Sequence, residues 1–318
     1  MILRPALLAT VIALAAVPVV GMRESAFARK PGAKAAEPAK SPQLQGMQYL
    51  YGSAEAAALT RQVWRMLADF VDDEVARGRP QSVVLTPDST LGNPRFVDCG
   101  DKPPAIVLDV DETALLNLGA EYDDLVAGRK SFDNAVWDRW EKTGADFVAP
   151  TPGAKEALDR LRSRGVTVVF NTNRAVANIA GAEAALDAAG LGPVRHGETL
   201  FLMGDDATGS HKDGRRQAIS SRYCVLAMGG DQLGDFSDLF NSEPGGVAAR
   251  RATAALPGIV GMWGNGWFVL PNPVYGSALK GSPDDIFAKD KQWRDPGSSP
   301  AAPVSTPTRA QAPAKVKH

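Results

Sequence analysis

Two aspartates, Asp109 and Asp111, close an uncharged run at 103–108 in a chain of 318 residues. The run Pro103-Pro104-Ala105-Ile106-Val107-Leu108 is short, apolar and opened by prolines, as in a strand buried on both faces of a parallel sheet. Such a strand delivers its last residues to the carboxyl edge of the sheet, where open α/β folds bind ligands. Side chains two apart on an extended segment share a face, so Asp109 and Asp111 can reach one reacting group from the same side. One carboxylate is then available to attack while the other moves a proton.

Three later loops, each after an expected strand, carry groups suited to an anion and its counter-ion. Asn171-Thr172-Asn173-Arg174 offers a hydroxyl and backbone amides for phosphoryl oxygens. His211-Lys212-Asp213-Gly214-Arg215-Arg216 offers a cation, and here Lys212 competes with Arg215 and Arg216 for that role. Gly229-Gly230-Asp231-Gln232-Leu233-Gly234-Asp235 combines glycines for tight turns with carboxylates that suit a hard divalent cation.

Alternating helix and strand patterns position these loops. Strands are expected over 166–170, 200–203 and 224–228, and helices over about 153–164, 177–189 and 214–221. Ser53 begins a helix over 53–77 whose apolar face is read as Leu59, Val63, Met66, Leu67, Phe70 and Val71, with Gly78 as the stop. This order predicts right-handed crossovers and a three-layer α/β/α sandwich around a parallel sheet. An aromatic, charged stretch follows Glu112 and is expected to form a small, mainly helical cap. Cap elements are assigned to 46–100 and 114–150 within a domain of 46–290. Core packing is the default for Trp137 and Trp140.

The flanks are different in kind. Arg4 supplies a charged start, 5–20 is apolar, and Ala26-Phe27-Ala28 offers a small-x-small cleavage site, so 1–28 reads as a secretory signal peptide. The alternative is an uncleaved anchor. Residues 29–45 read as a linker and 291–318 as a disordered tail. A net charge of −1 gives no general reason to expect polymeric nucleic acid as a partner. Export permits a disulfide between Cys99 and Cys224; two buried thiols are the other reading.

The order DxD, Thr, Lys and paired acids resembles the haloacid dehalogenase superfamily. Asp109-Val110-Asp111-Glu112-Thr113, Asn171-Thr172-Asn173-Arg174, Gly230-Asp231-Gln232-Leu233-Gly234-Asp235-Phe236 and Leu270-Pro271-Asn272-Pro273-Val274-Tyr275-Gly276 resemble one branch, the class C acid phosphatases and surface 5′-nucleotidases of bacteria. The likeness runs over roughly 46–280 and includes Ser53-Ala54-Glu55 and Trp137-Asp138-Arg139-Trp140.

The resemblance implies a Rossmann-like fold and an Mg²⁺-dependent acid phosphatase acting on small phosphate esters, 5′-nucleotides included. It implies Asp109 as nucleophile and Asp111 as general acid and base. Thr172, Asn173 and Lys212 would hold the phosphoryl group. Mg²⁺ would be held by Asp109, the Asp111 carbonyl and Asp231, with Asp235 orienting ligands. Tyr275 would contact a nucleoside, and Tyr122 is expected to do the same because it follows the catalytic strand closely. No cysteine stands at the cleavage region for a lipid anchor, so a soluble periplasmic protein without a stable membrane partner is expected. An inactive storage or binding relative, and a dehalogenase on the same scaffold, are the competing readings.

Overall fold

The computed structural model describes residues 42–78, 81–241 and 246–297. Two helices come first, α1 (Pro42–Gly52) and α2 (Ala54–Arg77), followed by β1 (Pro104–Leu108). Then come β2 (Leu115–Leu116), α3 (Leu118–Ala127), α4 (Asn134–Thr143), β3 (Ala149–Pro150) and α5 (Ala154–Ser163). The chain continues through β4 (Thr167–Ala175), α6 (Ile179–Ala188), β5 (Leu200–Met203), α7 (Asp213–Arg222) and β6 (Cys224–Gly230). Short elements complete the fold: α8 (Gly246–Thr253), α9 (Pro257–Val260), β7 (Trp267–Val269) and α10 (Pro283–Ile286).

β1 is the centre of a five-stranded sheet in the order β5-β4-β1-β6-β7. Every pairing in it is parallel, with Val107 opposite Val169 on one side and Met228 on the other. Period-two alternation divides β1 between two cores. Ile106 and Leu108 join the cluster under α2, α5 and α6, whereas Ala105 and Val107 face Val83, Ile219 and Ile259. The sheet is thus covered on both faces, as an all-parallel sheet requires. This is the expected three-layer α/β fold.

Several boundaries differ from expectation. α1 begins at Pro42, so 42–45 is helix and not linker. β4 runs on to Ala175 because the Asn171–Arg174 segment stays extended, beyond the expected end at Phe170. β7 was not anticipated; its three residues are too few to show a pattern. α2 has the expected Ser53 cap, whose side chain accepts from Ala56 N, and the expected Gly78 stop in the left-handed region. Its buried face, however, is Ala56, Thr60, Trp64, Leu67, Ala68 and Val71, while Leu59 and Met66 are exposed. Thr60 is compatible with burial because its hydroxyl donates to Ala56 O at 2.8 Å.

The assignment of 46–100 to a cap is corrected by this packing. The α2 stripe joins the core between sheet and α5, and Val83, Val84, Leu85 and Leu91 join the opposite core, because each apolar surface is buried where the sheet offers the larger partner. Residues 114–150 do form a small, mainly helical unit, with β2 and β3 paired as an antiparallel ribbon at its root. Residues 291–297 are exposed. The signal segment, linker residues 29–41 and tail residues 298–318 lie outside the described residues. No helix among the described residues is long and apolar enough to cross a membrane.

Cys99 and Cys224 form a disulfide, their Cα atoms 4.6 Å apart across a sequence separation of 125. It ties the segment entering β1 to the first residue of β6, at the edge of the sheet remote from the aspartate loop.

Candidate active site

The chain turns sharply after β1. Val110 O accepts from Ala114 N and Leu115 N, both at 2.9 Å, and Asp109 N is anchored on Gly229 O at 2.9 Å. Glu112, in the middle of this turn, has φ 52°. That is the left-handed region, which a side chain enters at a cost of order 1–3 kcal/mol and which a surrounding network must hold. The network is present. The buried Glu112 carboxylate accepts from Asn117 N at 2.8 Å, Asn117 Nδ2 at 3.1 Å, Tyr51 OH at 3.2 Å and Tyr275 OH. Burial, reinforced by Asp111, pushes Glu112 up to about 7.

From this turn Asp109 meets the groups delivered by α7 and the β6 loop. Lys212 Nζ lies 2.5 Å from Asp109 Oδ1 and 2.6 Å from Asp235 Oδ1, and all three residues are buried. Burial alone would lower the Lys212 ammonium, but Asp109 and Asp235 outweigh it and hold it above its usual value. Of the three basic residues, Lys212 is the one paired with Asp109 and Asp235. Arg215 is turned to Thr172 O, Asn173 Oδ1 and His211 O, and Arg216 holds Asp213 and the carbonyls of Gly234 and Asp235.

One carboxylate oxygen from each of Asp109, Asp231 and Asp235 lies within 4.8 Å of the others. Asp231 is fixed by Gln232 Nε2 at 2.8 Å and Asn272 Nδ2 at 2.7 Å, and Asp235 by Gln232 N at 2.9 Å. Gly230 makes the fold-back possible, since a Cβ there would stand 2.2 Å from Asp235 Cβ. Burial first, then Asp235, pushes Asp231 up to about 7. Burial also raises Asp109, against Lys212 and with help from Asp235, Asp231 and Asp111. Three buried carboxylates around one ammonium leave the pocket short of positive charge. An all-oxygen donor set with that deficit fits a hard divalent cation.

Asp111 stands across the site. Its Oδ1 accepts from Arg174 Nε at 3.0 Å, Arg174 Nη2 at 2.8 Å and Asn117 Nδ2 at 3.0 Å, while Oδ2 faces Thr172 Oγ1 at 3.4 Å. Thr172 also accepts from Arg174 N at 3.1 Å within β4 and caps no helix. Asn173 lines the cavity, with its amide held by Ser210 O at 3.0 Å and by Arg215. Tyr275 lines it too, next to Glu112. Tyr122 does not: it is 69 % exposed and outside the cavity lining, because α3 presents Glu121 inward and its next residue outward. Trp137 and Trp140 are half-buried in the cavity wall, their indoles donating to Glu141 Oε1 at 2.7 Å and Asn117 Oδ1 at 3.1 Å.

Sequence reasoning did not single out Arg174, Asn117 or Glu112. Arg174 was detectable, being two residues after Thr172 on an extended segment and so on its face. Asn117 carried no signal.

Residues 45–278 match the family model of the HAD superfamily, subfamily IIIB (Acid phosphatase). The chain belongs to this family. The phosphatase is accordingly a phosphoric monoester hydrolase. Among solved structures it is similar to the class C acid phosphatase from Bacillus anthracis, with a TM-score of 0.58 and 24 % identity over 74 % of this chain and 86 % of that one. A second structure of that enzyme, with tungstate bound, matches at a TM-score of 0.59 and 22 % identity over 80 % of this chain and 97 % of the other. At these identities the likeness concerns the fold.

Proposed function

We propose that the phosphatase is exported and Mg²⁺-dependent, and that it hydrolyses phosphomonoesters, 5′-nucleotides among them, through an aspartyl-phosphate on Asp109. The observation that carries the reading is the convergence of Asp109, Lys212, Asp231 and Asp235 beside an independently held Asp111.

In this mechanism an Asp109 carboxylate oxygen forms a bond to phosphorus as the ester P–O bond breaks. Asp111 gives its proton to the departing oxygen, then takes one from the water that attacks phosphorus and restores Asp109. Lys212, Thr172 and Asn173 hold the phosphoryl oxygens, and Lys212 keeps Asp109 oriented between attacks. Asp109, Asp231 and Asp235, with the Asp111 carbonyl, would hold Mg²⁺, which supplies charge neutralisation for the phosphoryl oxygens. Tyr275 is the remaining candidate for contact with the leaving group.

Residues 46–290 make up the catalytic domain in this reading. The Cys99–Cys224 disulfide supports export, since such bonds persist in oxidising compartments. The test is phosphate release from a panel of nucleotides and sugar phosphates, with Mg²⁺ and with chelator. Turnover that needs the metal and disappears in Asp109→Asn is expected; turnover retained by that variant overturns the reading.

A further inference from the structure

We infer that the cavity holds a second anion subsite, centred on Arg250, for a phosphoryl group carried on the leaving part of the substrate. The inference rests on the phosphomonoesterase reading above and deepens it. A cavity of about 2250 Å³ opens over Asp109, far more than one phosphoryl group occupies. Its lining includes Arg250 of α8.

Arg250 is half-buried, and its Nη2 donates to Ser277 Oγ at 2.7 Å. Its Nε is buried without a hydrogen-bond partner. No carboxylate among the described residues forms an ion pair with it, and burial pushes its guanidinium below the usual value. A guanidinium partly withdrawn from water with no counter-ion is a poor solution for the protein by itself and a good one with an anion in place. On the cap wall the contrast is plain, because half-buried Arg129 is already paired with Asp123 and Asp124.

The position is also linked to the reacting centre. Ser277 Oγ donates to Gln232 Oε1 at 3.0 Å, and Gln232 Nε2 donates to Asp231 Oδ2 at 2.8 Å. Arg250 is therefore three hydrogen bonds from Asp231, a candidate metal ligand. Gly276 keeps this path open, since at φ 107° a Cβ would stand 2.4 Å from Gln232 Nε2. The same wall adds Arg251, Lys280 and Lys289 against Asp284 and Asp285, and the Asp285 carboxylate is spent on Ser282 N and Oγ at 2.8 Å each. The balance there favours an anion.

The experiment compares adenosine 5′-monophosphate with adenosine 3′,5′-bisphosphate, in the Mg²⁺-loaded wild type and in Arg250→Gln. The ratio of kcat/KM for bisphosphate over monophosphate is expected to fall by about tenfold or more in the variant, as for loss of a charged hydrogen-bond partner. A smaller fall overturns the subsite. Calorimetric titration of both nucleotides into Asp109→Asn, with and without Arg250→Gln, reads the same preference without turnover. If neither nucleotide is hydrolysed by the wild type, the phosphomonoesterase reading fails for nucleotides, and the titration still decides the subsite by whether the bisphosphate preference depends on Arg250.

Discussion

Arg174 clasps Asp111 through two donors on one oxygen, with Nε and Nη2 at 3.0 and 2.8 Å from Oδ1. The guanidinium is 2 % exposed, and the clasp leaves Oδ2 as the oxygen turned toward Thr172 and available to carry a proton. If Asp111 is the general acid, Arg174 sets where that proton is delivered. We expect Arg174→Gln to lower kcat by about 100-fold or more for alkyl phosphates, whose leaving oxygens need protonation. Activated aryl phosphates should lose far less. Steady-state rates across a leaving-group series check this; a uniform loss would assign Arg174 to folding alone.

Metal binding should be visible as stability. Saturating Mg²⁺ at 100 times its dissociation constant adds about 2.7 kcal/mol, so a thermal scan should show a higher midpoint than in chelator. Asp231→Asn removes one of the three converging carboxylates and should abolish that rise. An equal Mg²⁺ response in the variant would place the cation elsewhere.

Glu121 gives a pH prediction outside the reacting centre. Burial first, then Glu112 and Asp124, pushes it up to about 8 from an unfolded value near 4.5. The native state therefore binds more protons than the unfolded one between those values, and stability falls as pH rises through that window. Glu121→Gln removes the titration. Relative to wild type, its melting midpoint should be higher at pH 8 than at pH 5, and a difference independent of pH would show that the side chain is not buried as described.

The Cys99–Cys224 disulfide closes a long loop between neighbouring strands. Replacing both cysteines by alanine should lower unfolding free energy by about 2–5 kcal/mol. Urea titration of the double variant measures it, and an unchanged midpoint would mean that the bond contributes nothing to the native state.

How much of this was legible before the structure depends on the kind of signal. The buried run before Asp109, the β4 and β6 runs and the loops after them are local patterns, and all emerge at one edge of the sheet. The buried face of α2 was misjudged because Ala56, Thr60, Trp64 and Ala68 were left off it and Leu59 and Met66 placed on it; Thr60 can be buried because its hydroxyl bonds its own helix. Asn117 and Glu112 depend on which polar groups meet across a turn with positive φ, and no linear period encodes that meeting. Tyr122 lies outside the cavity lining because proximity to a catalytic strand in sequence does not fix which side of a helix faces the cavity.

The central claim is that Asp109 accepts the phosphoryl group. Its most direct test is a single turnover stopped in acid, followed by peptide mapping of the bound phosphate. Phosphate on the peptide bearing Asp109, released by hydroxylamine and absent from Asp109→Asn, is the predicted result. Rapid turnover with no phosphoryl-enzyme formed, or with the phosphate on another residue, would contradict it.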